Sequence, residues 1–134
     1  MKTEYHHADH CKYSLNLHFV FAVKYRKGLL KDNIDTDMKQ ILFEIAQLKG
    51  FVIKTMQSDI DHIHILVDSL PILSPFEIAH QLKQISTFRI WKKHLLELKK
   101  HFWKERTFWS DGYFVCSTGD ASTETIQKYI ESQG

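Results

Sequence analysis

Only three residues, Asp59-Ile60-Asp61, separate two strand-like runs, Phe51 to Ser58 and His62 to Asp68. A crossover to a parallel neighbour needs a dozen residues or more, so this gap forces the two runs into an antiparallel hairpin. The remaining elements have to be arranged around it. Upstream, Tyr13 to Val23 alternates Leu15, Leu17, Phe19 and Phe21 against Ser14, Asn16, His18 and Val20, the two-residue period of a strand. A basic loop, Lys24 to Lys31, follows. Ile34, Met38, Ile41, Leu42, Ile45 and Ala46 then recur at helical spacing, with Asn33 or Asp35 as cap and Gly50 as stop. After the hairpin, Ser74-Pro75-Phe76-Glu77 is a helix start of high local specificity. Its Ser accepts from an orphan amide, its Pro has none to lose, and its Glu reaches back to the cap. Ile78, Leu82, Ile85 and Trp91 supply the core side of that second helix, while the basic and aromatic stretch through Phe102, Trp103, Phe108 and Trp109 reads partly as loop. Ser110-Asp111-Gly112 turns into a fourth short strand, Tyr113 to Ser117, and Gly119-Asp120 breaks it before a last helix starting near Ser122.

The order is βαββαβ followed by an extra helix. This predicts an α+β, ferredoxin-like fold, an antiparallel four-stranded sheet with two helices on one face and the other face free. At 134 residues the chain fits one domain, 1–134, with a single core. In the usual strand order the first and third strands are central. Ile63, Ile65 and Val67 then fit the packed side and direct His62 and His64 toward the open one.

A hydrophobic fraction of 43% with 25% charged residues excludes disorder as the default. No apolar stretch approaches the ~18 residues of a membrane span, and the N-terminus lacks the apolar core of a signal peptide. The chain is therefore expected to be cytoplasmic, with no membrane partner and with Cys11 and Cys116 as two reduced thiols. A net charge of +2 says little, but its distribution is uneven: Lys83 to Arg106 holds eight Lys or Arg against Glu97 and Glu105. Lys24-Tyr25-Arg26-Lys27 is a second basic cluster. Such segregation suits a polyanion on one face, or equally a solvated helix surface.

Two histidines at i,i+2 in an apolar strand project side by side. They have a better case as a chelate than a lone imidazole, which is usually structural. Two imidazole nitrogens suit Mn, Zn or another first-row metal better than bare Mg, and leave positions open for phosphate oxygens and water. Tyr129 and Gln133 are spaced i,i+4 on the last helix and face one point in space. Tyr129 can equally pack beside Ile126 and Ile130, and Gln133 can simply be solvated. A phenol is a weak nucleophile, so a nucleophilic role for Tyr129 needs a cation to polarise the scissile phosphate. Asp59 and Asp61 are either turn residues or partners that orient imidazole. His6, His7, His10 and Cys11 read as a flexible, solvated tail.

Four segments in order carry a resemblance over almost the whole chain: His18-Phe-Val-Phe-Ala-Val-Lys-Tyr-Arg-Lys27, Asp61-His-Ile-His-Ile-Leu-Val67, Trp109-Ser-Asp-Gly-Tyr-Phe-Val115 and Ile126-Gln-Lys-Tyr-Ile-Glu-Ser-Gln133. Together they resemble the single-stranded-DNA transposases of the insertion-sequence 200/605 class, the one-tyrosine branch of the HUH (His-hydrophobic-His) nucleases. The resemblance implies a homodimer in which the tyrosine helix of one subunit completes the histidine pair of the other. Tyr129 is then the nucleophile that forms a 5′-phosphotyrosine and frees a 3′-OH, and His62, His64 and Gln133 hold a divalent ion, Mg or Mn. The expected partners are single-stranded DNA hairpins at element ends, with Lys24, Arg26, Lys27, Lys83 and Arg89 as nucleic-acid contacts. The chain stops one residue after Gln133, where relatives often carry a longer tail, and Gly119-Asp120 is a candidate hinge for the tyrosine helix. A non-catalytic ferredoxin-like nucleic-acid-binding domain is the alternative, although such modules place aromatics on the central strands where this chain has histidines. A replication-initiator or conjugative nuclease is a third reading, disfavoured by length.

Overall fold

The computed structural model describes residues 6–8, 11–13, 16–69, 72–117 and 123–133. Its elements, in chain order, are β1 (His6–Ala8), β2 (Cys11–Tyr13), β3 (Asn16–Ala22), α1 (Asp32–Lys49), β4 (Val52–Asp59), β5 (His62–Asp68), α2 (Pro75–Lys93), α3 (Leu95–Lys99), β6 (Phe114–Ser117) and α4 (Thr123–Glu131). The main sheet runs β4-β5-β3-β6, every pair antiparallel, so β3 and β5 are central as the ferredoxin-like order requires. β4 and β5 form the expected hairpin, with a register irregularity between Ile53 and Thr55.

One side of the sheet is closed by the helices. Phe19 and Phe21 of β3 and Ile63, Ile65 and Val67 of β5 share one core with Met38, Ile41, Leu42 and Ile45 of α1 and with Ile78, Leu82, Ile90 and Trp91 of α2. Full burial of each such side chain is worth about 1.5–3 kcal/mol, so the alternation along β3 and β5 fixes which face each strand turns inward.

Local chemistry sets the helix ends. Ser74 accepts a hydrogen bond from the Glu77 amide and the Glu77 carboxylate accepts from the Ser74 amide, a complete capping box with Pro75 at the first helical position. Gly50 ends α1 in the left-handed region at φ 86°, its N–H donating to the Ala46 carbonyl. The start of α1 differs from expectation: the helix opens at Asp32, flanked by Lys31 with no side-chain cap. The Asp35 carboxylate is used elsewhere, accepting from Ser58 Oγ at 2.6 Å and pairing with Lys39.

Two further corrections concern the ends of the chain. Residues expected to be a solvated tail pair instead, β1 with β2, His6 opposite Tyr13 and Ala8 opposite Cys11; His10 lies outside the described residues. The sheet face expected to be free is partly covered. Val20 of β3 and Ile130 of α4 are buried together, with Phe114 and Tyr129 packed against them. An apolar Val20 on the outward side of β3 is what attracts α4, because leaving it in water would forfeit its burial energy. The proposed break and hinge at Gly119-Asp120 and the start near Ser122 lie outside the described residues.

Candidate active site

In an antiparallel sheet, side chains directly opposite each other leave from the same face. Val20 stands opposite His64 on one side and opposite Phe114 on the other. The face covered by α4 is thus the face that carries His62 and His64. Their rings lie 5.0 Å apart, edge to face. The expectation that both imidazoles leave the outer face of a central strand holds, and so does the placement of Ile63, Ile65 and Val67 on the inner one.

Each imidazole has its Nδ1 engaged. His62 Nδ1 lies 2.9 Å from Asp61 Oδ1, and Asp61 Oδ2 accepts from Arg26 Nε at 3.4 Å. Arg26, Asp61 and His62 therefore form a chain that holds one ring. Burial works against ionisation of Asp61, but the hydrogen bond and charge of His62, followed by those of Arg26, keep its carboxyl below the usual range. His64 Nδ1 lies 3.2 Å from Nε2 of a third imidazole, His18, on β3. Burial, followed by the neighbouring His62 and His18, lowers the His64 pKa to about 4, and burial lowers that of His18. At neutral pH both rings are uncharged, the state in which a ring nitrogen can bind a cation.

Asp61 had two open readings, and the structure shows it beside the imidazole it contacts. Asp59 faces the histidines across the hairpin, opposite His62 in register, and its carboxylate also accepts from the Ile60 amide in the turn.

Tyr129 is held by packing. Its ring is 6.0 Å from that of Phe114, and its hydroxyl is closed off from solvent with no hydrogen-bond partner among the described residues. Burial pushes the phenol up to about 12. The packing reading is what the fold shows: the ring lies against Phe114 while its polar end is left unsatisfied among the described residues. The Gln133 amide donates to Ser132 Oγ, and no hydrogen bond joins it to either imidazole among the described residues.

The donor set fits a divalent first-row cation. Two imidazoles sit side by side, each with its Nδ1 beside a partner, and an outer partner on the far ring nitrogen is how metal-bound histidines are held. Among the described residues no three His, Cys, Asp or Glu side chains are grouped to hold an ion by themselves. An amide oxygen such as that of Gln133, phosphate oxygens or water would have to complete the shell.

The basic residues are more occupied than a run of charges implies. Lys24 pairs with Asp111 at 3.3 Å and Glu105 at 3.9 Å, Arg26 with Asp61, and Arg89 with Glu44 at 3.8 Å; Lys27 is half-buried. Lys83 differs from them all. Its ammonium donates to the carbonyls of Ser110, Asp111 and Gly112 at 2.6, 3.0 and 2.7 Å, which uses all three of its protons. Burial lowers it to about 8, and in this arrangement it anchors the turn before β6. Sequence reasoning missed His18 as a partner of the pair. The only signal was that it occupies the same alternation class on β3 as the outward-facing Val20.

Comparison with known proteins points to one family. The family model described as "Transposase IS200 like" matches residues 11–133. The chain is 31% identical over 121 residues to the ISDra2 transposase TnpA of Deinococcus radiodurans, covering 90% of this chain and 85% of that protein. It is 30% identical over 124 residues to the transposase for insertion sequence element IS200 of Salmonella typhimurium, covering 92% and 80%. A crystal structure of a transposase-like protein from Deinococcus radiodurans R1 superposes with a TM-score of 0.86 at 28% identity, over 99% of this chain and 98% of that one. A REP-associated tyrosine transposase bound to a REP hairpin shares the fold, with a TM-score of 0.54 at 11% identity over 93% of this chain and 69% of its own. Those matches, on a chain whose central strand carries paired outward histidines beneath a tyrosine-bearing helix, establish that it belongs to the IS200-like transposase family.

Proposed function

We propose that this transposase cuts and rejoins single-stranded DNA at element ends through a covalent tyrosine intermediate. The observation that carries the reading is the meeting of His62 and His64 with α4 on one sheet face, where the Tyr129 hydroxyl lacks a partner among the described residues. The Tyr129 oxygen attacks the scissile phosphorus. A Tyr–O–P bond forms, the bond from phosphorus to the 3′ oxygen breaks, and the departing 3′ oxygen takes up a proton while the phenol gives one up. The products are a 5′-phosphotyrosine and a free 3′-OH. A different 3′-OH attacking the phosphotyrosine reverses the step and joins new strands.

His62 and His64, with Gln133, would hold a divalent ion, Mg or Mn. When bound, that ion supplies positive charge at the phosphate oxygens. Asp61 and Arg26 keep the His62 ring oriented. The Gln133 amide nitrogen donates to Ser132 Oγ, and its Oε1 is the atom that would serve as ligand. Lys24, Arg26, Lys27 and Arg89 are proposed as phosphate contacts. The ion pairs that now occupy Lys24 and Arg89 are partly exposed and weak enough for a polyanion to displace, while Arg26 engages Asp61 through Nε and would meet phosphate through its other guanidinium nitrogens. For Lys83, expected as a further contact, the reading changes to support of the turn. The natural substrate is a hairpin-forming single strand in the cytoplasm, and the working unit is a homodimer.

The test is incubation with single-stranded DNA carrying the flanks of the gene, plus Mn or Mg, followed by a denaturing gel. A slow protein–DNA band that disappears with chelator supports the proposal; DNA binding without such a band makes this a non-catalytic binding domain. Mixing His64→Ala protein with Tyr129→Phe protein tests the dimer. Recovered cleavage means that one subunit's tyrosine serves its partner's histidines.

A further inference from the structure

Three imidazoles, not two, line the outer face of the central strands. His18 lies on β3 between Leu66 of β5 and Cys116 of β6 in register, and its ring centroid is 5.3 Å from that of His64. A separation of 46 positions in the chain gives no local reason for the contact; the strand register alone creates it.

Two ring nitrogens 3.2 Å apart, His18 Nε2 and His64 Nδ1, need one N–H and one lone pair between them. Only two assignments exist for neutral rings. If His18 Nε2 carries the proton, His64 Nδ1 is the acceptor, its own proton sits on Nε2, and it has no lone pair left for a cation. If His64 Nδ1 carries the proton, His18 accepts it and His64 Nε2 is free to bind. We infer that His18 is a positioning residue, an acceptor that locks His64 in the Nδ1–H tautomer and aims its Nε2 at the cation site. This rests on the reading of His62 and His64 as ligands.

The same geometry serves the neighbouring ring, where the acceptor at His62 Nδ1 is the Asp61 carboxylate. The two ligands are thus oriented by different groups, a carboxylate in the turn just before β5 and an imidazole on β3. His18 is not a third ligand in this arrangement, because no three such side chains among the described residues converge on one point. Its acceptor nitrogen is spent on His64. Outer partners of this kind change metal affinity by about 10–100-fold when removed.

Two measurements test the assignment. In metal-free protein, long-range nitrogen–proton correlation spectra of the imidazoles report the tautomer directly. A protonated Nδ1 and an unprotonated Nε2 on His64 are expected, and the reverse overturns the inference. In the second, Mn is titrated calorimetrically into wild type, His18→Leu and His18→Gln, with melting curves confirming that each is folded. The leucine variant should bind about 10–100-fold more weakly. Glutamine, whose Oε1 reaches where Nε2 stood, should recover most of the loss. Equal binding by wild type and the leucine variant, or no recovery with glutamine, overturns the positioning role. If wild type itself takes up no Mn, the histidine pair is not a metal site, and the tautomer measurement still decides what His18 does to His64.

Discussion

Replacing Tyr129 by phenylalanine removes one oxygen and leaves the packing of the ring intact. In the folded chain that oxygen is shut away from solvent and has no hydrogen-bond partner among the described residues, while the ring stays against Phe114 beside the buried Val20 and Ile130. Sealing a hydroxyl from water without a partner costs about 1–3 kcal/mol. Because the residue as a whole is only partly covered, the lower half of that range applies. Tyr129→Phe should then stabilise the DNA-free protein by about 1–2 kcal/mol, a rise in melting midpoint of about 3–8 °C for a domain of this size. A second signature follows from the raised phenol pKa. The folded protein holds the Tyr129 proton more tightly than the unfolded chain, whose phenol titrates at its ordinary 10.0. This contribution to stability is complete below that pH and is lost as pH climbs through the folded value of about 12. The phenylalanine variant lacks that loss, so the gap between the two proteins widens across this alkaline window. Urea unfolding of both proteins at neutral and alkaline pH measures each part. Equal or lower stability of the variant, or identical alkaline profiles, would mean that the hydroxyl has a partner in solution and is not left unsatisfied in the resting fold.

Other substitutions probe the frame around the site. Asp61→Asn keeps an acceptor near His62 Nδ1 but removes the charge shared with Arg26; Mn affinity measured by calorimetry should fall about 10-fold or more with the fold unchanged by circular dichroism. Trp109→Phe deletes the indole donor to Ser86 Oγ, a buried contact of 2.9 Å, and should cost about 1–3 kcal/mol in urea unfolding. Ser74→Ala breaks the capping box of α2 and should cost about 1 kcal/mol, with no change in Mn binding because the cap is not among the groups that hold the histidines.

What could be read from the chain was whatever short-range chemistry decides. The capping box depends on four consecutive residues, the β4–β5 hairpin on a three-residue gap, and the inward face of β5 on strict alternation; all three are present in the fold. The histidine pair belongs to this class, since one strand carries both. Features made by register or by distant packing left no such trace. His18 meets His64 only because β3 and β5 pair with Val20 opposite His64. Lys83 looked like one charge among eight, but the turn at Ser110 to Gly112 folds back onto its ammonium. Val20 looked like an ordinary member of an alternating run, whereas burial under α4 makes it the seat of the tyrosine helix. The β1–β2 pair arises from polar, histidine-rich segments without apolar alternation, so nothing local marked it as strand.

In the proposed mechanism the Tyr129 oxygen is the atom that becomes joined to DNA. Peptide mass spectrometry of the protein after reaction with hairpin single-stranded DNA and Mn, followed by nuclease trimming, locates the attached nucleotide. A nucleotide phosphate is expected on the peptide containing Tyr129, absent when Mn is chelated. A nucleotide mapped to any other residue, or cleaved DNA with no modified peptide at all, would contradict it.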